Sequence, residues 1–404
     1  MTRPLAEEAI KLVALATRTK RDQYDGSFVG GRAVPVGGFE QEVRSQRNES
    51  VGRLNGTREK LAGIRVEVGS EVALNTLDSH VRLSAIGPGG ARTPITLPIA
   101  NAFVREKRAE VFVDAGRNVT DRLRVDAGFA YEKSVLTVTG DTRARRALGF
   151  PKPSVSLDWR ARGGWHVQAS LKRTVAQLDF TDFVSTAELT VDRINGGNAQ
   201  LLPQRAWEAR VTGEHPILGE GLVKLDLGSD RIELLQDRIL TPEGIDAPGN
   251  IGSGTRRYAA LTLDLPLAKL GIKGGRLKAS GQLQSTRVNN QVIGNSRPFS
   301  GYWPKWEYSL DYRQDLGRLA FGANLTERTR FSYFRIDEID SIRNSKPFMT
   351  AFVEDRPTKS TTVTFDIDNL LNTHGSAVPA VLLLEPRHPA PPVRNAQPIQ
   401  SSRD

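Results

Sequence analysis

The sequence predicts an all-β protein, an antiparallel meander that forms most of a large transmembrane β-barrel. Three observations carry this reading. Apolar and polar residues alternate with a period of two in segment after segment, the gaps between segments alternate short and long, and the polar face is heavily charged. Leu123, Val125, Ala127, Phe129 and Tyr131 interleave with Arg124, Asp126, Gly128, Ala130 and Glu132; Trp306, Tyr308, Leu310 and Tyr312 interleave with Glu307, Ser309, Asp311 and Arg313. A strand sends successive side chains to opposite faces, so each run has one apolar and one wet face. In a membrane barrel the apolar face meets lipid and the charged face lines a hydrated lumen. A dry sandwich core would pay several kcal/mol for each unpaired ionisable group it buried.

Taken in order, strands are expected at roughly 9–19, 44–57, 62–75, 107–116, 121–139, 152–161, 164–178, 204–216, 220–236, 255–267, 275–289, 303–315, 317–331, 346–356 and 359–371. After the first they pair as hairpins with tight turns: Gly163-Gly164 between Trp159 and Trp165, Gly317 after Asp315-Leu316, and Pro357-Thr358 after Arg356. Much longer segments separate the hairpins, such as Thr76 to Lys107 and Asp179 to Pro203. Structureless loops of that length are uncommon in compact domains. Bacterial outer-membrane barrels have them by construction, with short periplasmic turns and long extracellular loops.

The expected lipid-facing set includes Ile64, Val66, Val68, Val72 and Leu74, then Val155, Leu157 and Trp159, then Leu261, Leu263, Leu265 and Leu267, and Val363, Phe365 and Ile367. Opposite them, toward the lumen, fall Arg65, Glu67, Glu71, Glu110, Asp114, Asp158, Arg160, His166, Lys172, Asp264 and Asp366. Tyr and Trp favour the membrane–water interface, because the ring is apolar and one edge polar. The loop rhythm assigns Trp159 and Trp165 to the periplasmic girdle, and Trp207, Trp303 and Trp306 to the extracellular one.

Composition agrees. Only 38% of the 404 residues are hydrophobic, and the longest early apolar run, Leu12 to Ala16, is far shorter than a spanning helix needs. Cysteine is absent, which excludes disulfides, thiolate metal sites and cysteine nucleophiles. The net charge of +10 is scattered among acids rather than gathered into a basic run, so it reads as a solvated surface and not as a nucleic-acid site. A functional reading of the same charge is that basic residues at the outer rim meet lipid phosphates. No signal peptide is visible: Glu7, Glu8 and Lys11 interrupt any apolar region. A barrel must be exported, so a misplaced start or a fragment is expected.

Sites of chemistry are not found. His80, His166, His215, His374 and His388 lack paired metal spacing, and there is no H-E-x-x-H or G-x-S-x-G. Gly87-Pro88-Gly89-Gly90 and Gly252-Ser253-Gly254 read as turns rather than phosphate loops. The sequence therefore names no catalytic, cofactor-binding or metal residue, leaves ligand-binding residues undefined, and predicts no enzyme and no cofactor.

Three segments carry a resemblance. Gly196-Gly197-Asn198-Ala199-Gln200-Leu201-Leu202-Pro203-Gln204-Arg205 resembles the G-N-P-x-L-x-P-E stretch entering a barrel strand in TonB-dependent outer-membrane receptors, with Ala199 and Gln204 as departures. Val363-Thr364-Phe365-Asp366-Ile367-Asp368-Asn369-Leu370-Leu371-Asn372 is similar to the late-barrel signature of that family, and Phe150-Pro151-Lys152-Pro153-Ser154-Val155-Ser156-Leu157 to another strand entry. The resemblance covers about 9–372 and implies a barrel of about 22 strands closed by a plug, active uptake of an iron chelate, cobalamin or saccharide, and the outer membrane of a Gram-negative cell. It implies four partners: the TonB complex acting through a plug domain that this chain does not show, outer-membrane lipid, a small nutrient ligand and the outer-membrane assembly machinery. Turn parity makes the fifteen expected strands numbers seven to twenty-one, a count that leaves the sheet open or poorly closed. Residues 1–372 are expected as a partial barrel, and 373–404, rich in proline and without period-two alternation, as a disordered or aberrant tail. The alternatives are a passive porin-type channel and a structural or adhesive surface β-protein.

Overall fold

A computed structural model describes residues 2–381 except 6–7, 32–33, 190–192, 290–293 and 295. Its principal sheet has 18 strands, three of them short. The fifteen long ones are β1 (Glu8–Gly31), β2 (Val34–Leu61), β3 (Ile64–Ile86), β4 (Asn101–Thr120), β5 (Leu123–Gly140), β6 (Ala144–Arg160), β7 (His166–Val175), β8 (Arg205–Ile217), β9 (Gly221–Glu233), β10 (Gly254–Pro266), β11 (Gly275–Asn289), β12 (Trp306–Leu316), β13 (Leu319–Arg328), β14 (Phe348–Thr358) and β15 (Thr361–Ile367). Each pairs antiparallel with its neighbour in this order, from β1–β2 through to β14–β15, without a crossover. The all-β antiparallel meander is therefore the architecture. Among the described residues, no helix is long and apolar enough to cross a membrane.

Directly opposed residues on antiparallel strands share a face, so the register sorts the side chains. One row runs Trp159, Val167 and Gly213, and the next Leu157, Ala169, Val211, Leu227 and Ala259. Alternate rows on the other face run Asp158, Gln168, Thr212 and Asp226. The apolar rows are exposed, Leu157 at 42%, Val211 at 44% and Leu227 at 44%. Such a belt on a water-facing surface would be costly; against lipid it is required.

Several boundaries differ from expectation. β1 continues from the expected 9–19 to Gly31, and β2 begins at Val34 rather than 44. In both, the outward residues change from apolar (Ile10, Leu12, Ala14) to charged (Arg18, Lys20, Arg44), so the strand outlasts its alternation once it leaves the lipid. β6 likewise begins at Ala144, well ahead of 152. β1 has a predecessor: Thr2–Leu5 pairs with Glu8–Lys11. Leu267, expected on the lipid face, starts a one-turn 3-10 segment and is buried. The expected tail contains a strand, Gly375–Val381, at the edge of a small sheet with Phe331–Phe334 and Glu338–Asn344. Residues 382–404 lie outside the described residues.

Candidate functional site

The turns 62–63, 121–122 and 317–318 lie at one end of the sheet; the long connections 87–100, 176–204, 234–253 and 329–347 lie at the other, together with the short turn 141–143. These long connections are folded. Thr186–Glu188 pairs with Arg193–Asn195, and Gln236–Leu240 pairs with Asp246–Asn250. The 87–100 and 176–204 connections pack onto the inner face of β3–β5, where Leu77, Val81, Val104, Leu136 and Val138 meet Phe183 and Leu201, both fully buried; Leu235 and Ile251 of 234–253 pack instead with Ile232 of β9 and Val288 of β11.

The Gly196–Arg205 segment explains itself here. A Cβ on Gly197 would stand 2.6 Å from the backbone of Phe183, so only glycine admits this approach. Buried Ser185 accepts from the amides of Ile99 and Gly197, each at 3.1 Å. Asn198 accepts from the Gln200 amide at 2.7 Å and donates to the Pro248 carbonyl at 2.9 Å. The stretch thus fastens one loop to its neighbour just before β8 begins. In the later motif, Asn369 and Asn372 both take left-handed backbone angles, φ 54° and 52°, which asparagine tolerates better than most residues.

Ion pairs tie the connections into a roof. Arg193 pairs with Glu338; Arg335 reaches Glu188 at 3.3 Å; Arg238 holds Asp246 at 3.0 Å and Asn195 at 3.0 Å. Gln41 of β2 clamps the roof to the wall, accepting from the Ala187 amide at 2.7 Å. Beneath lies a cavity of about 680 Å³ whose lining includes Arg21, Asp182, Glu188, Asp237, Tyr333 and Arg335. Asp182, in the loop turn Phe180–Phe183, has its carboxyl pushed up to about 6 by burial and by Asp179 nearby, with Arg238 opposing. A second cavity of about 550 Å³ shares Gln236, Asp237 and Ser300, and reaches the luminal Glu208, Arg210 and Arg256.

Trp303 belongs here and not to the expected extracellular girdle. Its ring lies 5.7 Å from that of Phe299 and under the Arg256 guanidinium at 5.0 Å, because the connection before β12 folds inward. Trp159, Trp165 and Trp306 stay exposed on the outer face, and Trp207 shares the outer row with Arg173 and Arg231.

The luminal wall below is a lattice of charges. Lys152 binds both Glu110 and Glu132; His166 lies between Asp158 at 2.9 Å and Glu214 at 2.8 Å; Arg53 and Arg108 share Glu71. A second device, invisible in the sequence, recurs on this wall. Across three strands stand an arginine, a glycine and an aromatic ring in one row: Arg210, Gly228 and Tyr258, and again Arg313, Gly322 and Phe352. The ring lies over the glycine, and the guanidinium over the ring at 5.6 Å and 5.3 Å respectively. Among the described residues no group of His, Cys, Asp and Glu could hold a metal ion.

Solved structures of other proteins share this large antiparallel meander. The ferric yersiniabactin uptake receptor FyuA from Yersinia pestis matches with TM-score 0.65 at 11% identity, covering 92% of this chain and 55% of that one. The copper transporter OprC matches with TM-score 0.66 at 11% identity, covering 90% and 58%. The siderophore receptor PiuA from Acinetobacter baumannii matches with TM-score 0.62 at 13% identity, covering 93% and 60%. The chain has the barrel fold of the TonB-dependent outer-membrane receptors. It spans somewhat over half the length of these TonB-dependent receptor structures. No protein-family model matches, and neither does any curated protein. These neighbours are transport proteins rather than enzymes.

Proposed function

We propose that this chain is the barrel of a receptor for active uptake of a scarce nutrient across the outer membrane, and that its vestibule receives the nutrient. One observation carries the reading: the loop roof encloses a polar and aromatic cavity directly above the charged lumen, with Asp237 lining both chambers. A passive pore has no need of such an antechamber. Of the iron-chelate, cobalamin and saccharide classes, the metal chelate is favoured. The similar structures include a ferric yersiniabactin uptake receptor and a siderophore receptor. Residues 1–372 supply the barrel. Transport then calls on a plug coupled to the TonB complex, and insertion on the outer-membrane assembly machinery.

The test is uptake. Cells deleted for the gene should lose accumulation of one radiolabelled ferric chelate, regain it on complementation, and lose it again with a protonophore. Chain-dependent uptake that survives the protonophore would replace this reading with the passive channel. No change on deletion for any chelate would end it.

A further inference from the structure

Two of the arginines that line the vestibule are committed to acids. Arg335 reaches Glu188 at 3.3 Å, and the Arg238 fork is taken up by Asp246 and Asn195, each at 3.0 Å. The third, Arg21, has no ionic partner among the described residues. On the acidic side Asp237 is satisfied, accepting from Arg297 at 2.8 Å and from the Arg238 amide at 2.9 Å. Asp25 accepts only from the neutral Gln23, at 2.6 Å, and among the described residues no donor reaches the Asp182 carboxyl. Arg21 and Asp25 stand four residues apart on β1, about 14 Å, too far to neutralise one another. The chamber thus keeps two carboxyl groups and one guanidinium without a counter-charge.

Asp182 is the more firmly held of the two acids. It lies half-buried in the Phe180–Phe183 turn, and both phenylalanines are buried in the cluster against β3–β5, which fixes the turn in place. Its carboxyl, raised to about 6 by burial and by Asp179, is ionised at neutral pH. A partly desolvated carboxylate is costly until a cation meets it. Tyr333 and Phe334 line the same chamber, and Tyr333 is 42% exposed, so an apolar surface accompanies the charge.

Resting on the reading of the vestibule as the chamber that receives the nutrient, we propose that it selects a metal chelate carrying a free ammonium group and rejects polyanionic chelates, with the ammonium held at Asp182 and the organic shell against Tyr333. Charge makes the selection. A ferric ion wrapped by three hydroxamates is neutral, whereas one wrapped by three catecholates keeps three negative charges. The catecholate complex needs several free cations, and the chamber offers Arg21 alone. An ammonium group, a compact charge with three donors and no acceptor, needs a carboxylate that lacks donors, and Asp182 is one.

The test uses the full chain refolded in non-ionic detergent, with refolding checked by heat-modifiable migration, and equilibrium dialysis of radiolabelled iron chelates at neutral pH. Ferrioxamine B, a trihydroxamate with a free amine, should bind about tenfold more tightly than its N-acetyl derivative, which has the same iron centre and no charge. Raising sodium chloride from about 20 to about 500 mM should narrow that ratio by screening, and ferric enterobactin, a tris-catecholate, should not compete. Asp182→Asn should bring the two hydroxamate affinities together. A variant that weakens both alike and keeps the ratio would overturn the proposal, because the carboxylate would then serve only the shape of the roof. Equal or tighter binding of the acetylated or the catecholate chelate would overturn the charge selection and leave the receptor reading standing. Displacement of ferrioxamine B by an equal concentration of calcium would overturn it too, giving the carboxylate to a metal ion. Binding of neither hydroxamate would also end it, and the deletion experiment then tells whether the receptor reading falls as well. If Asp182→Asn does not refold, the ratio on the unmodified chain and its salt dependence decide.

Discussion

Arg297 donates to Asp237 at 2.8 Å across two separate roof connections, with 8% and 4% of their side-chain surfaces exposed. The guanidinium also stacks over the Phe334 ring at 4.4 Å, so one residue joins three connections. Removing one partner of a buried pair leaves an uncompensated charge, which costs about 3–5 kcal/mol, whereas replacing both by apolar groups is far milder. Arg297→Met is therefore expected to open the roof locally. Hydrogen exchange in 236–250 should accelerate by about two to three orders of magnitude. Adding Asp237→Leu should recover much of the protection, and exchange in β3–β5 should not change.

The arginine–glycine–aromatic rows make a second prediction. A Cβ on Gly228 would lie 2.1 Å from the Tyr258 ring, whereas one on Gly281 meets nothing nearer than 3.7 Å. Gly228→Ala must push the ring off the wall and disturb its contacts with the Arg210 and Arg256 guanidinium groups, 5.6 Å and 4.5 Å from the ring centre, at a cost of about 1–3 kcal/mol. Gly281→Ala is expected within about 0.5 kcal/mol of the parent. Urea titrations of refolded protein, followed by tryptophan fluorescence, compare the two.

What the sequence could say was set by where one face of a strand meets lipid and the other water. Leu123 to Tyr131 lies within that zone and was readable residue by residue. Arg18 to Gly31 lies beyond it, wet on both faces, and its strand left no periodic trace. The roof was illegible for another reason. Phe183 and Leu201 are buried by segments far away in the chain, and Arg193 finds Glu338 145 residues later. Trp303 and Trp306 are three residues apart and alike in composition; only the inward fold of the connection sends one into the vestibule and leaves the other outside. The prolines of the expected tail argued against a central strand, and Pro379 does not occupy one. It lies in an edge strand, where a missing N–H is tolerated.

The two faces should answer differently to charge. Leu310 is 39% exposed on the outer face, midway between Trp306 and the turn after Leu316; Asp311 is opposite Lys278 and Asn324 on the inner face. Leu310→Lys is expected to cost about 2–4 kcal/mol in vesicles, and Val125→Arg, close to the 121–122 turn, toward the lower end of that range. Lysine or arginine at Asp311 or Asp126 should cost less. Equal effects on both faces, by urea titration in vesicles, would contradict the assignment of the belt.

The roof should also respond to pH through Asp182. Burial and the neighbouring Asp179 raise its carboxyl from 3.8 to about 6, so the folded roof holds a proton that the opened one releases. The sign follows from proton binding: the folded state binds more protons between about pH 4 and 6, so its stability falls as pH rises through that window and stays reduced above it. Asp182 thus favours the closed roof most below about pH 4 and least above about pH 6. Asp179 is buried enough to raise its carboxyl, but the Thr181 amide and hydroxyl and Arg47 together outweigh burial and lower it, so it works the other way, losing its contribution as pH falls through its lowered value. The two are separable by substitution. Between pH 4 and 8, hydrogen exchange in 193–204, corrected for intrinsic rate, should rise relative to β3–β5 and level off above 6. Asp182→Asn should flatten that rise and leave the roof more protected at pH 7, because the uncharged amide removes the repulsion from Asp179. An Asn variant that keeps the full rise would assign the pH response to another group.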